Sequence, residues 1–209
     1  MRFVDGLPPA MRAVPVVREQ RHLAVSETGK PEEAIAALEE LIRLSGSTPE
    51  REGLLGGRFK KLYRAHKDAA DLDRAIEHYE RGMLLDLNQY YCSSNLPRLL
   101  RTRNEPGDED RARATAHAVL LACERARATG GGDEWLNPTL LGSAFDAGDL
   151  SAIASLTRKV RAEGHATWKL KTTIQDIRTA IALHADARLQ GELINALAKL
   201  EALLPAAPA

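Results

Sequence analysis

The sequence is poor in several things at once. Aromatic residues fill 4% of its 209 positions, as two Trp, four Tyr and three Phe. Val and Ile are also few beside Ala, Leu, Arg and Glu. That shortage argues against a sheet, because β-branched and aromatic side chains are what suit a pleated, half-buried surface. No segment offers alternating apolar residues bounded by turns, so no strand is expected. Long hydrophobic runs are missing too. The longest, Ala118 to Cys123, falls far below the roughly 20 residues that cross a bilayer. The opening "MRFVDGLPPAMR" has no apolar core of the kind a secretory signal carries, so a cytoplasmic location is expected. Excess charge of either sign is absent: Lys+Arg and Asp+Glu both number 29. That balance lacks the basic surplus usual in a nucleic-acid binder, and no nucleic-acid or membrane partner is expected. The two cysteines, Cys92 and Cys123, show no redox or metal-ligand spacing and read as reduced thiols.

Catalytic constellations are missing as well. His22, His66, His78, His117, His165 and His184 are scattered, and none has a second ligand at metal spacing. "TGKP" (Thr28 to Pro31) lacks the earlier glycine and the Ser/Thr of a phosphate-binding loop. "DAADLD" lacks the spacing and terminal Glu of a calcium loop. Neither cysteine has a His partner in the sequence. "GDED" (Gly107 to Asp110) reads as a charged helix start. These absences lead to the expectation of no enzyme, no metal and no cofactor.

What is present is one helical pattern after another, enough for one ordinary domain or one short solenoid. "PEEAIAALEELIRL" opens on Pro31 and repeats apolar residues at three- and four-residue steps. "STPEREGLLGGRFKKLYRAH" has Ser47 and Glu50 in capping-box spacing. "DLDRAIEHYERGMLL" offers Asp71 as a cap, with Leu72, Ala75, Ile76, Tyr79 and Met83 on one face. "QYYCSSNLPRLLRTR" contains Pro97, so its helix is expected to start late or to kink. Five more helical segments follow, separated by "NEPGD", "TGGG", "AGD" and "EGHA". The starts of several segments share a plan, with small residues Ala34, Ala75, Ala114 and Ala152 as anchors. They recur at a period of about 40 residues with two helices per unit, which is the signature of a helical-hairpin array. The expected domain is residues 1–204, in about five antiparallel pairs, with 205–209 as a disordered tail.

"LGGRF", with Leu55, Gly56 and Phe59, resembles the first helix of a tetratricopeptide repeat, and Ala75 and Tyr79 resemble the small and aromatic positions of the second. The period exceeds the roughly 34 residues of the standard repeat. A wider likeness rests on Gly57, Arg58, Phe59, Lys60, then Tyr90, Tyr91 and Asn95, then Trp135, Gly148 and Asp149. With these residues the stretch from about 7 to 165 resembles the TRAFs-binding domain, a tetratricopeptide-type module named from the apoptosis signal-regulating kinases and widespread in bacteria. The chain departs from that pattern at Phe59, where Tyr is usual, at Cys92-Ser93-Ser94, which lacks the Gly before Asn95, and at Pro97. The resemblance implies an all-α solenoid of antiparallel pairs in a right-handed superhelix. It also implies a non-catalytic role: an adaptor or regulator that binds a protein partner (a peptide or an effector subunit) on its concave surface, in bacterial signalling, stress or defence. The alternative it leaves open is a sensor of a nucleotide-derived signal that controls a partner effector enzyme.

The stretch "GLLGGRFKKLYRAH" spends three glycines on a helix and then concentrates cations. A helical wheel at 100° per residue places Leu55, Leu62 and His66 near Phe59, with Lys60, Arg64 and Lys67 on one flank and Arg58 and Lys61 on the other. Gly56 reads as a close helix approach; Gly57 is not explained that way. Besides nucleic-acid binding, for which Phe59 and Tyr63 interleave with the cations although Phe59 reads as core, two readings of the cations stand. They form a solvated face whose stems cover apolar surface, or Arg58 and Lys61 form an anion clamp in the groove, Arg being suited to paired bonds with carboxylate or phosphate. Tyr91 and Asn95, four apart, share a helix face. Either Asn95 ties one repeat to the next, or Asn95 and Tyr91 join Arg58 in the groove. Trp135 and Trp168 read as packing residues.

Overall fold

The computed structural model describes residues 6–12, 14, 17, 31–164 and 166–205. His22, His165, most of "TGKP", much of the expected first helix pair and residues 206–209 of the expected tail lie outside the described residues. Among the described residues every regular element is helical. After a single turn at Pro9–Arg12 come α1 (Pro31–Ser45), α2 (Pro49–His66), α3 (Ala69–Leu85), α4 (Tyr90–Ser93) and α5 (Leu96–Arg103). They are followed by α6 (Asp108–Thr129), α7 (Leu136–Ala147), α8 (Leu150–Glu163), α9 (Thr167–Leu183) and α10 (Ala187–Glu201). The fold is all-α, with neighbouring helices packed as in a tetratricopeptide-like solenoid. The chain divides into two compact units, Met1–Leu99 and Leu100–Ala209.

In the first unit α1 packs on α2 and α2 on α3. Pro31 opens α1 as expected. The α1–α2 turn closes through Gly46 at φ 79°. Buried Arg51 donates from Nη1 to the carbonyls of Ser45 at 2.9 Å and Gly46 at 2.6 Å, so carbonyls at the C-terminal end of α1 find donors. The cap of α2 differs from the expected capping box. Thr48, not Ser47, is the N-cap and accepts from the Arg51 amide. Ser47 instead donates to the buried Glu52 carboxylate at 2.5 Å. Lys67 ends α2 in the left-handed region at φ 60°. Asp68 caps α3 by accepting from the Ala70 amide, so the cap falls three residues before Asp71, the expected one. Two residues between helices leave room only for an antiparallel return. Leu38, Leu41, Leu55, Phe59, Ala75, Ile76 and Tyr79 form the buried interior.

Pro97 is accommodated as expected. The segment holding it breaks into α4 and α5, and the proline falls in the first turn of α5, where its missing N–H leaves no helical bond unmade.

In the second unit α6 packs on α7, α7 on α8 and α9, and α10 on α8 and α9. Leu141, Phe145, Ile153, Ile177 and Leu193 are at its centre, each almost wholly buried. Gly148 ends α7 at φ 69° and Asp149 caps α8 by accepting from the Ala152 amide. The "GDED" stretch is a charged helix start, as expected, and within it Asp108 is buried: it accepts from Arg103 Nη2 at 2.7 Å and Nε at 2.9 Å, and from the Glu105 amide at 3.0 Å. The alanine register holds at Ala34 and Ala75, both fully buried, and shifts at the third position, where Ala112 is buried and Ala114 exposed.

Candidate ligand-binding face

The three glycines of α2 have different neighbours. A Cβ at Gly56 would lie 2.9 Å from the Tyr79 ring, and one at Gly53 would overlap the Tyr91 ring. Both glycines let another element come close. A Cβ at Gly57 would meet only the Tyr79 hydroxyl at 3.5 Å and the Tyr91 hydroxyl at 3.9 Å, which is ordinary van der Waals contact. The two tyrosine rings meet edge to face, with centroids 6.4 Å apart. Tyr79 is buried and Tyr91 half-buried.

Beside them Lys60 Nζ donates to Asn95 Oδ1 at 2.6 Å, and Asn95 Nδ2 donates to the Tyr91 carbonyl at 2.9 Å. The Lys60 ammonium lies 6.0 Å from the Tyr79 ring centroid. Asn95 therefore ties the turn after α4 to α2. Of the residues singled out in the sequence, Tyr91 and Asn95 are adjacent but not on one helix face: α4 ends at Ser93 and Asn95 lies in the turn after it. They meet Lys60, not Arg58. Arg58 is two positions earlier, about 160° round the helix at 100° per residue, and is buried. Lys61 is exposed, four residues after Gly57 and so on its side of α2.

The other side of the α2–α3 contact holds a polar cluster. Phe59 is core, as expected, and stacks flat on His78 with centroids 5.5 Å apart. The Arg74 guanidinium carbon lies 5.1 Å from the Phe59 centroid. His78 Nδ1 is 2.7 Å from Glu52 Oε2. Burial pushes the Glu52 carboxyl upward, but the bonds from His78 and Ser47 outweigh it and leave its pKa below the ordinary value. An ionised carboxylate only accepts, so Nδ1 of His78 carries the hydrogen.

Both cysteines are free thiols and buried. Cys92 donates from Sγ to the Pro49 carbonyl at 3.1 Å, and burial, helped by Glu50 and Glu52, pushes its thiol up to about 12. Burial likewise raises Cys123 to about 12. Among the described residues no three His, Cys, Asp or Glu are grouped to hold a metal, and no helix is long and apolar enough to cross a membrane. In the second unit Trp135 and Trp168 pack edge to face at 5.6 Å. The buried Lys169 ammonium lies 5.2 and 5.6 Å from their centroids and is paired with Glu134.

Sequence reasoning passed over Lys60 as a partner of Asn95. Its partner is 35 positions away, and its wheel position, three after Gly57, was the available signal.

Residues 2–100 match a family model described as Tetratricopeptide Repeats-Sensor. Over this stretch the chain is tetratricopeptide-like. The match covers the unit that carries the Gly57, Lys60, Tyr91 and Asn95 face. No curated protein and no solved structure matches the chain.

Proposed function

We propose that this chain is a non-catalytic recognition module, an adaptor or regulator of the TRAFs-binding type. Its α2–α4 face in the first unit engages a protein partner, a peptide or an effector subunit, in cytoplasmic bacterial signalling or defence. One observation carries this reading. The Lys60 ammonium is held at 2.6 Å by Asn95, beside the half-buried Tyr91 ring and near Gly57 of α2. A cation held in place and a half-buried aromatic ring are elements of a recognition surface, because little conformational freedom remains to be lost on binding. Lys61 adds an exposed cation at the rim. Arg58, buried on the other side of α2, is outside this face in this reading.

The description of the matching family as a sensor favours a second reading, in which the same face binds a nucleotide-derived signal and the chain controls an effector. Tyr91 would stack on a base and Lys60 would meet an anion.

Capture from lysate of the native cell by immobilised wild-type chain, with Asn95→Ala and Lys61→Ala beside it, separates the two. A protein retained by wild type and lost from both variants supports the first reading. A protein retained equally by all three removes this face from partner binding. If a nucleotide fraction abolishes capture, the second reading prevails.

A further inference from the structure

We draw no further inference here: the strongest candidate, the surface patch of the second unit where the exposed Trp168 ring packs on Trp135 beside the Lys169 ammonium, carries nothing because Lys169 is already paired with Glu134 there and nothing in the structure shows what covers the exposed indole.

Discussion

His78 Nδ1 lies 2.7 Å from Oε2 of Glu52, a carboxylate with no exposed surface, and the pair joins α2 to α3 across the core of the first unit. A buried pair of this kind makes truncation costly, because the surviving partner keeps its desolvation without its bond. Glu52→Ala should destabilise the chain by about 3–5 kcal/mol, measured by urea unfolding.

The same pair sets a pH dependence. The folded-state pKa of Glu52 is below its ordinary 4.5. A depressed carboxyl contributes stability that is present above the unfolded value and is lost as pH falls through the folded value. The melting temperature should therefore decline below pH 4.5. Other carboxylates contribute to that decline, so the informative quantity is the difference from Glu52→Gln, whose curve should be flatter in this window. Parallel curves would remove Glu52 from the acid transition.

Ala75 is fully buried where α2 and α3 meet. Overpacking such a contact costs about 1–3 kcal/mol, and a side chain as large as Trp more. Ala75→Trp should unfold or aggregate the chain, and a wild-type melting temperature would refute the repeat register drawn through this residue.

Two helix glycines should respond with opposite signs to the same change. At Gly56 an added Cβ lies 2.9 Å from the Tyr79 ring, so Gly56→Ala should lower the melting temperature. At Gly191 the space is open, and Ala there should gain up to about 1 kcal/mol of helix propensity. Thermal denaturation of the two variants side by side decides it.

Asp108 is almost wholly buried and receives two bonds from Arg103 and one from the Glu105 amide. The Arg103 bonds, with help from the Glu105 amide, hold its carboxyl below the usual range despite burial. Asp108→Asn should cost about 1.5–3 kcal/mol, the scale of a bond to a charged group. Recovery of wild-type stability in that variant would show that geometry alone, without the charge, secures the start of α6.

The helices were legible because burial on one face imposes a period that the sequence carries openly, as in Ala34, Leu38 and Leu41. Caps were less legible. Ser47, Thr48, Asp68 and Asp71 are all acceptable by residue type, and the choice falls to whichever side chain reaches an amide once the turn has closed. Ala114 was named as an anchor and Ala112 is the buried one, since in a run of alternating Arg and Ala the pattern does not fix the phase. At the candidate face, spacing alone joined Tyr91 to Asn95. It did not reveal Lys60, whose bond to Asn95 spans 35 positions and depends on α2 and α4 being brought together by Gly53. The burial of Arg58 was hidden for a related reason, because a long cation on a wheel gives no sign of which neighbour covers it.

The division at Leu99 also sorts the chromophores. All four tyrosines, Tyr63, Tyr79, Tyr90 and Tyr91, belong to the first unit, and both tryptophans, Trp135 and Trp168, to the second. Each half of the molecule thus carries its own optical label without any engineering. Indole emission follows the second unit, while near-ultraviolet dichroism from the phenols follows the first. One wild-type denaturation series read at both signals reports whether the two halves melt as one cooperative body or as two.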